Sequence, residues 1–259
     1  MNIETNFNLE ATPERVYSLL KLIEMKPYTQ DELKQLVHPI SKDGELNKVL
    51  KYLLDCKWIS KNKTNQYELH FEKEYLETFD LFRRRLNSIL FNGDKTIFYM
   101  YTEWVVSNDE KILGIRVSDY TRENPNFIRE GKNNFYLQWR LWASFLGIGN
   151  LHNKIFIPNP STRIKDIIEY NINEQSTDKA IPLNDFFSWL ITKCPELNNC
   201  LVDNNISTFL SLALRELHDQ EIIKLEYHQD FPNIWYLTNS MFHEVDRQVT
   251  HIRLRSDQN

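Results

Sequence analysis

Residues 46–59 read LNKVLKYLLDCKWI, and residues 210–223 read LSLALRELHDQEII. Laid over each other without a gap, Leu46, Leu50, Leu53, Asp55, Trp58 and Ile59 meet Leu210, Leu214, Leu217, Asp219, Ile222 and Ile223. One apolar frame used twice marks a supersecondary unit present in two copies, and it governs how the rest of the chain is read.

Upstream of the first copy, Pro13–Glu24 sets Val16, Leu19, Leu20 and Ile23 at helical spacing, with Thr12 as N-cap and Pro13 at the first helical position. Thr29 opens a second helix with Glu32 three residues on, a capping box, and Leu33, Leu36 and Val37 form its inner face. HPISKDG ends that helix, and a third is predicted from about Glu45 to Asp55, burying Leu46, Val49, Leu50 and Leu53. Two strands are expected around Trp58–Ser60 and Gln66–His70, joined by Lys61–Asn65, where asparagine tolerates a left-handed backbone. Around the second copy, Pro182 and Asp185 start an aromatic helix ending near Pro195, and the polar stretch Asn198–Asn205 is a candidate short helix. Ser207–His218 then stands where the third helix stood. Strands are expected near Ile222–Tyr227 and Ile234–Leu237, paired through a tip at 229–233.

Three helices followed by a hairpin resemble the winged helix-turn-helix family, over roughly 12–71 and again over 180–240. The repeated frame is then a third helix plus the first wing strand. The expected fold class is mostly α with small β-hairpin wings, two winged-helix domains in tandem, with a degenerate third between them as the alternative to a plain helical connector. The expected division is 1–75, 76–175, 180–245 and a basic tail at 246–259. In the middle segment, Phe79–Phe91, Thr96–Ser107 and Asn133–Leu146 read as helices, Gly147 and Gly149 as a helix stop, Lys154–Ile157 as a strand, and Asn173–Lys179 as a linker. Tyr136, Trp139 and Trp142 recur as a buried face would; with Arg140 they also suit a stacking platform for bases. Over this middle third, the pattern WxxFLGxG from Trp142 to Gly149, followed by Phe156, is similar to the DpdG-type proteins of deazaguanine DNA-modification islands.

Catalysis finds no anchor: the sequence has no GxxxxGK[ST], GxGxxG or GxSxG, and its 7 histidines never fall at metal-ligand spacing. Asp109, Glu110 and Asp119 are carboxylates of the kind any acidic protein carries. Cys56, Cys194 and Cys200 form no CxxC pair, which suits a reducing cytoplasm rather than a disulfide framework or a zinc site. No stretch is apolar enough to span a membrane, and the polar, acidic start MNIETNFNLEATPER is not a secretory signal. The expectation is a non-enzyme with no cofactor and no metal.

Net charge is -5, so polyanion binding requires a local patch. Residues 13–70 carry 10 Lys and Arg against 8 Asp and Glu. The family resemblance implies that Asn47, Lys48 and Lys51 on the third helix lie near base edges or phosphates, with Lys61 and Lys63 of the wing on phosphate. The alternative is a merely solvated lysine face. Arg83, Arg84 and Arg85 form the densest basic run and are placed beside it on DNA backbone. Residues 181–244 carry 3 basic against 9 acidic side chains, which repels phosphate. That copy suits protein contact, as a homodimer or with a partner, anchored by Phe231 and Trp235 on its wing. Trp235 also fits an inward register shared with Leu237 and matched by Tyr67 and Leu69, whereas Phe231 sits at the predicted tip. Arg247, Arg253 and Arg255 make the tail basic, which suits nucleic-acid contact, with a disordered end as the more ordinary account. The function expected is duplex-DNA binding through the N-terminal winged helix, with the C-terminal one for assembly. A protein adaptor in the manner of kleisin partners is the alternative.

Overall fold

The computed structural model describes residues 10–37, 43–108, 112, 135–153, 155–171, 179–241 and 243–255. The predicted linker at 173–179 and the carboxylates Asp109, Glu110 and Asp119 lie, except for Lys179, outside them.

The first unit runs α1 (Pro13–Met25), α2 (Gln30–Leu36), α3 (Asp43–Asp55), β1 (Ile59–Lys61) and β2 (Tyr67–Leu69). The caps are the expected ones. Thr12 accepts from Arg15 N, and Thr29 and Glu32 close a reciprocal capping box. The two amide and hydroxyl hydrogen bonds from Thr29 hold the Glu32 carboxyl below its ordinary pKa. β2 lies between β1 and Tyr28, whose carbonyl accepts from Tyr67 N at 2.7 Å.

A 3-10 helix (Lys73–Leu76) leads into α4 (Phe79–Phe91), α5 (Ile97–Ser107), α6 (Phe135–Phe145), β3 (Gly149–His152) and β4 (Ile155–Pro158). β3 is an element the sequence reading missed. α7 (Ser161–Tyr170), β5 (Ala180–Pro182), α8 (Leu183–Lys193), a second 3-10 helix (Pro195–Cys200), β6 (Leu201–Val202), β7 (Asn205–Ile206), α9 (Thr208–Asp219), β8 (Ile223–Glu226), β9 (Trp235–Tyr236), β10 (Gln248–Val249) and β11 (His251–Leu254) complete the order.

One turn recurs three times. After α3, α6 and α9 the chain enters a left-handed residue, Lys57 (φ 59), Gly147 (φ 80) and Glu221 (φ 60), and then a strand. Each turn carries the same two hydrogen bonds back into its helix: Lys57 N to Leu54 O and Trp58 N to Leu53 O, Gly147 N to Ser144 O and Ile148 N to Ala143 O, Glu221 N to His218 O and Ile222 N to Leu217 O. This is the Schellman closure, which satisfies the orphan carbonyls of a helix end. The helix–turn–strand module of the repeated sequence frame is therefore present in the middle segment too.

Two expectations for the C-terminal third are corrected. β8 does not pair with β9. It pairs with β11, which is also bonded to β5, giving the order β5-β11-β8, while β9 joins β10 and β7. The reason is burial: His251, Ile252 and Leu254 are 7%, 0% and 0% exposed, so the supposed tail supplies the central strand of this sheet. Two of its arginines are paired within the fold, Arg253 with Glu226 at 3.3 Å and Arg255 with Glu221 at 3.1 Å, and Arg247 lies over the Tyr236 ring at 5.4 Å.

α6 packs at the centre. Trp142 donates from Nε1 to Ala11 O at 3.1 Å, and Trp139 donates to Thr102 Oγ1 at 2.9 Å. Both indoles are buried, so the aromatics of this helix are core and not an open stacking platform. Gly149 is placed by close approach: a Cβ there would run into the carbonyl oxygen of Ile157, and would meet Phe156 Cζ at 2.8 Å and Pro158 Cα at 2.9 Å. Gly149→Ala is expected to cost about 1–3 kcal/mol or more as overpacking against backbone. Urea denaturation checks this, and a cost near zero would show that the β3–β4 hairpin yields freely.

Candidate nucleic-acid interface

On α3, the stripe Leu46, Val49, Leu50 and Leu53 faces the core, leaving Asn47, Lys48 and Lys51 exposed. Asn47 and Lys51, four residues apart, share one face, and Lys48 lies about 100° round. Lys48 Nζ pairs with Glu10, and its side chain remains 51% exposed. Burial opposes the Glu10 carboxylate, but the Lys48 hydrogen bond, a backbone hydrogen bond and the charges of Lys48 and Arg15 together outweigh it, and the pKa is lowered.

The β1–β2 hairpin is organised by one asparagine. Asn62 Oδ1 accepts from Thr64 N at 3.0 Å, Thr64 Oγ1 at 2.8 Å and Gln66 N at 2.9 Å, and Asn65 adopts φ 59. This Asx turn fixes a tip from which Lys61 and Lys63 project into solvent.

A chain of contacts joins the β1–β2 hairpin to α3. Lys61 lies opposite Tyr67 in the β1–β2 register, with Nζ 5.1 Å from the ring centroid. Tyr67 is buried, and its hydroxyl donates to Gln30 Oε1 at 3.4 Å. Gln30 Nε2 donates to Asn47 Oδ1 at 2.6 Å. On the other side of the bridge, Lys26 Nζ stands 4.8 Å from the Tyr28 ring. Cross-strand partners project to one side of a sheet, so Lys61 and Tyr67 share one side of the hairpin, and the hydrogen bonds through Gln30 link that side to Asn47. The roles of Gln30 and Tyr67 beside α3 escaped the sequence reading, because they depend on the Tyr28–Tyr67 bridge and on the contact of Gln30 with Asn47.

The arginine run is placed differently from the sequence expectation. Arg83 makes a two-point ion pair with Asp166, at 2.7 and 2.8 Å, and a third contact to Asp80 at 2.7 Å. The Asp166 hydrogen bonds raise its pKa further. Arg84 reaches Glu169 at 3.1 Å, and Arg85 pairs with Glu72 while covering the Tyr75 ring at 5.3 Å. These three side chains clamp α4 to α7 and to the first 3-10 helix, so they form no open basic patch.

The helices of the other two helix–turn–strand modules are presented in another way. In the register of the three Schellman turns, Asn47, Lys48 and Lys51 correspond to Leu137, Gln138 and Leu141 on α6, which are half-buried or buried. On α9 they correspond to Ser211, Leu212 and Arg215, of which Ser211 and Arg215 are 0% and 3% exposed. There the long connection after β9 lies across the helix: Arg215 Nη1 donates to Thr238 O at 2.7 Å, and Thr238 N donates to Ser211 Oγ at 3.0 Å. Trp235 turns inward, edge-on to Phe187 at 4.8 Å, with Nε1 donating to Asn184 Oδ1 at 2.5 Å. Phe231 is half-buried, with its ring 4.5 Å from that of His251. Neither aromatic stands free on the surface.

A family model described as DpdG-like matches residues 3–231. The chain belongs to the DpdG-like family. The matched span contains the whole N-terminal surface and all three Schellman turns, and it ends before β9, β10 and β11 of this DpdG-like chain. No curated protein and no solved structure matches it at a significant level. Among the described residues, no helix is long and apolar enough to cross a membrane.

Proposed function

We propose that this DpdG-like chain is a non-enzymatic accessory protein of a bacterial DNA-modification or anti-phage island that binds duplex DNA through its N-terminal unit. Family membership supports the island association. We read 12–71 as a winged helix: its order, helix, single-residue strand at Tyr28, helix, helix, two strands, with β2 central, matches α7, β5, α8, α9, β8 and β11 with β11 central, the second unit carrying the 3-10 helix with β6 and β7, and then β9 and β10, as insertions. Two units of one chain built to the same order support the tandem reading.

The observation that carries the DNA proposal is the contact chain from Lys61 through Tyr67 and Gln30 to Asn47. It holds wing and third helix to one surface, on which Lys51 and Lys63 are also exposed. A helix in the major groove with a basic loop on the flanking phosphates needs that arrangement. The covered α9 and the acidic balance of its surroundings favour a protein-facing role for the C-terminal unit, in self-assembly or with a partner. Fluorescence anisotropy with a labelled duplex tests the proposal. Lys61→Glu/Lys63→Glu is expected to weaken binding at least tenfold at low salt, with an unchanged melting temperature because both side chains are exposed. Wild-type protein that binds no duplex would shift the account to the adaptor reading.

A further inference from the structure

Phosphate contacts orient a protein on DNA, but sequence is read by groups that meet base edges with fixed donor and acceptor positions. A flexible amide on a solvated helix has no fixed orientation. Asn47 differs, because its Oδ1 is already engaged by Gln30 Nε2 at 2.6 Å. Gln30 is oriented in turn, since the hydroxyl of buried Tyr67 donates to its Oε1 at 3.4 Å. With the Tyr67 hydroxyl donating to the Gln30 carbonyl, the Gln30 amino group faces Asn47. Asn47 then keeps its own amino group and one oxygen lone pair for a ligand.

We infer that Asn47 is a base reader for adenine in the major groove, held by Gln30 and Tyr67 as positioning residues. This inference rests on the DNA-binding reading of the same surface. An amide that offers a donor and an acceptor side by side matches adenine, which shows N7 as acceptor and the N6 amino group as donor on its major-groove edge. Guanine shows two acceptors there and is matched by lysine or arginine instead. Lys51, one turn along the same face of α3, is placed for the neighbouring step or its phosphate. Asp31, which follows Gln30, turns toward Lys34 at 3.7 Å.

The test starts by enriching duplexes from a random library with the full-length protein. The enriched site is expected to contain a fixed A·T pair. Replacing that adenine by 2-aminopurine, which moves the amino group out of the major groove, is expected to weaken binding by about tenfold, within the range for loss of one two-point base contact. Asn47→Ala is expected to lose the same factor on the enriched site, to be insensitive to 2-aminopurine, and to bind an unrelated duplex within twofold of wild type. Tyr67→Phe, which keeps the ring and removes the hydroxyl, is expected to lose part of the selectivity with little change in melting temperature. Equal weakening of Asn47→Ala on every duplex would make Asn47 a phosphate contact and overturn the inference while leaving the DNA reading intact. Enrichment with no fixed adenine would do the same. Wild-type protein that binds no duplex at low salt overturns both.

Discussion

Arg163→Met is expected to destabilise the protein by about 3–5 kcal/mol, the usual cost of stripping one partner from a buried ion pair. Glu196 is fully buried, and Arg163 Nε donates to its Oε1 at 2.9 Å while Nη2 donates to Lys193 O at 2.8 Å. Burial raises the Glu196 pKa above its ordinary 4.5, and the charge of Arg163 offsets only part of that rise. Without Arg163 the native state holds a proton that the unfolded chain gives up. Stability of the variant should then fall as pH rises above 4.5, and the loss should be complete once the raised folded value is passed. Arg163→Met/Glu196→Leu is expected to recover most of the loss, because two apolar side chains remove the need for charge pairing. Urea midpoints at several pH values check this. A single variant that costs less than about 1 kcal/mol, or a flat pH profile, would contradict the isolation of this pair.

Trp139→Ala carries the other large effect, about 3–5 kcal/mol, from removal of a fully buried indole. The ring joins three elements. It meets Tyr101 of α5 edge-on at 4.9 Å and Phe156 of β4 at 4.7 Å, and its Nε1 reaches Thr102. Trp139→Phe keeps part of the packing and should cost less. Thermal melts compare the pair with Lys61→Glu/Lys63→Glu as an exposed control. Trp139→Ala within 1 kcal/mol of wild type would mean that the middle segment is not organised around this helix.

The N-terminal unit was the most legible because each local signal agrees there. Thr12, Thr29 and Glu32 cap where their chemistry predicts, and β1 and β2 fall within a residue of the expected strands. The middle copy was obscured by its packing. α6 is covered on more sides than α3, so Arg140 and Gly149 stand where Leu50 and Ile59 keep the apolar frame, and the frame no longer aligns. What persists is the left-handed turn at Gly147, whose counterparts Lys57 and Glu221 are not glycine and so carry no sequence signal. In the C-terminal unit the error was one of pairing. Strand β8 was placed correctly, but nothing local tells it to skip β9 and bond to β11, some 25 residues further on; long-range pairing is set by the buried face of Ile252 and Leu254. The site was half legible: the lysines and Asn47 stand out by helical position, whereas the orienting roles of Gln30 and Tyr67 exist only once the Tyr28 bridge is formed. The arginine run stood out because two of its acidic partners, Asp166 and Glu169, lie about 80 residues away in sequence, although Asp80 and Glu72 are near.

The central claim, that the α3 face and the wing contact duplex DNA, is tested most directly by the salt dependence of binding. Each phosphate contact contributes about -0.9 to the slope of log Kobs against log salt. Anisotropy titrations of wild type and Lys61→Glu/Lys63→Glu across a salt series should give slopes that differ by about 2, the variant being the shallower. Equal slopes and equal affinities would show that these lysines meet no phosphate and would contradict the claim.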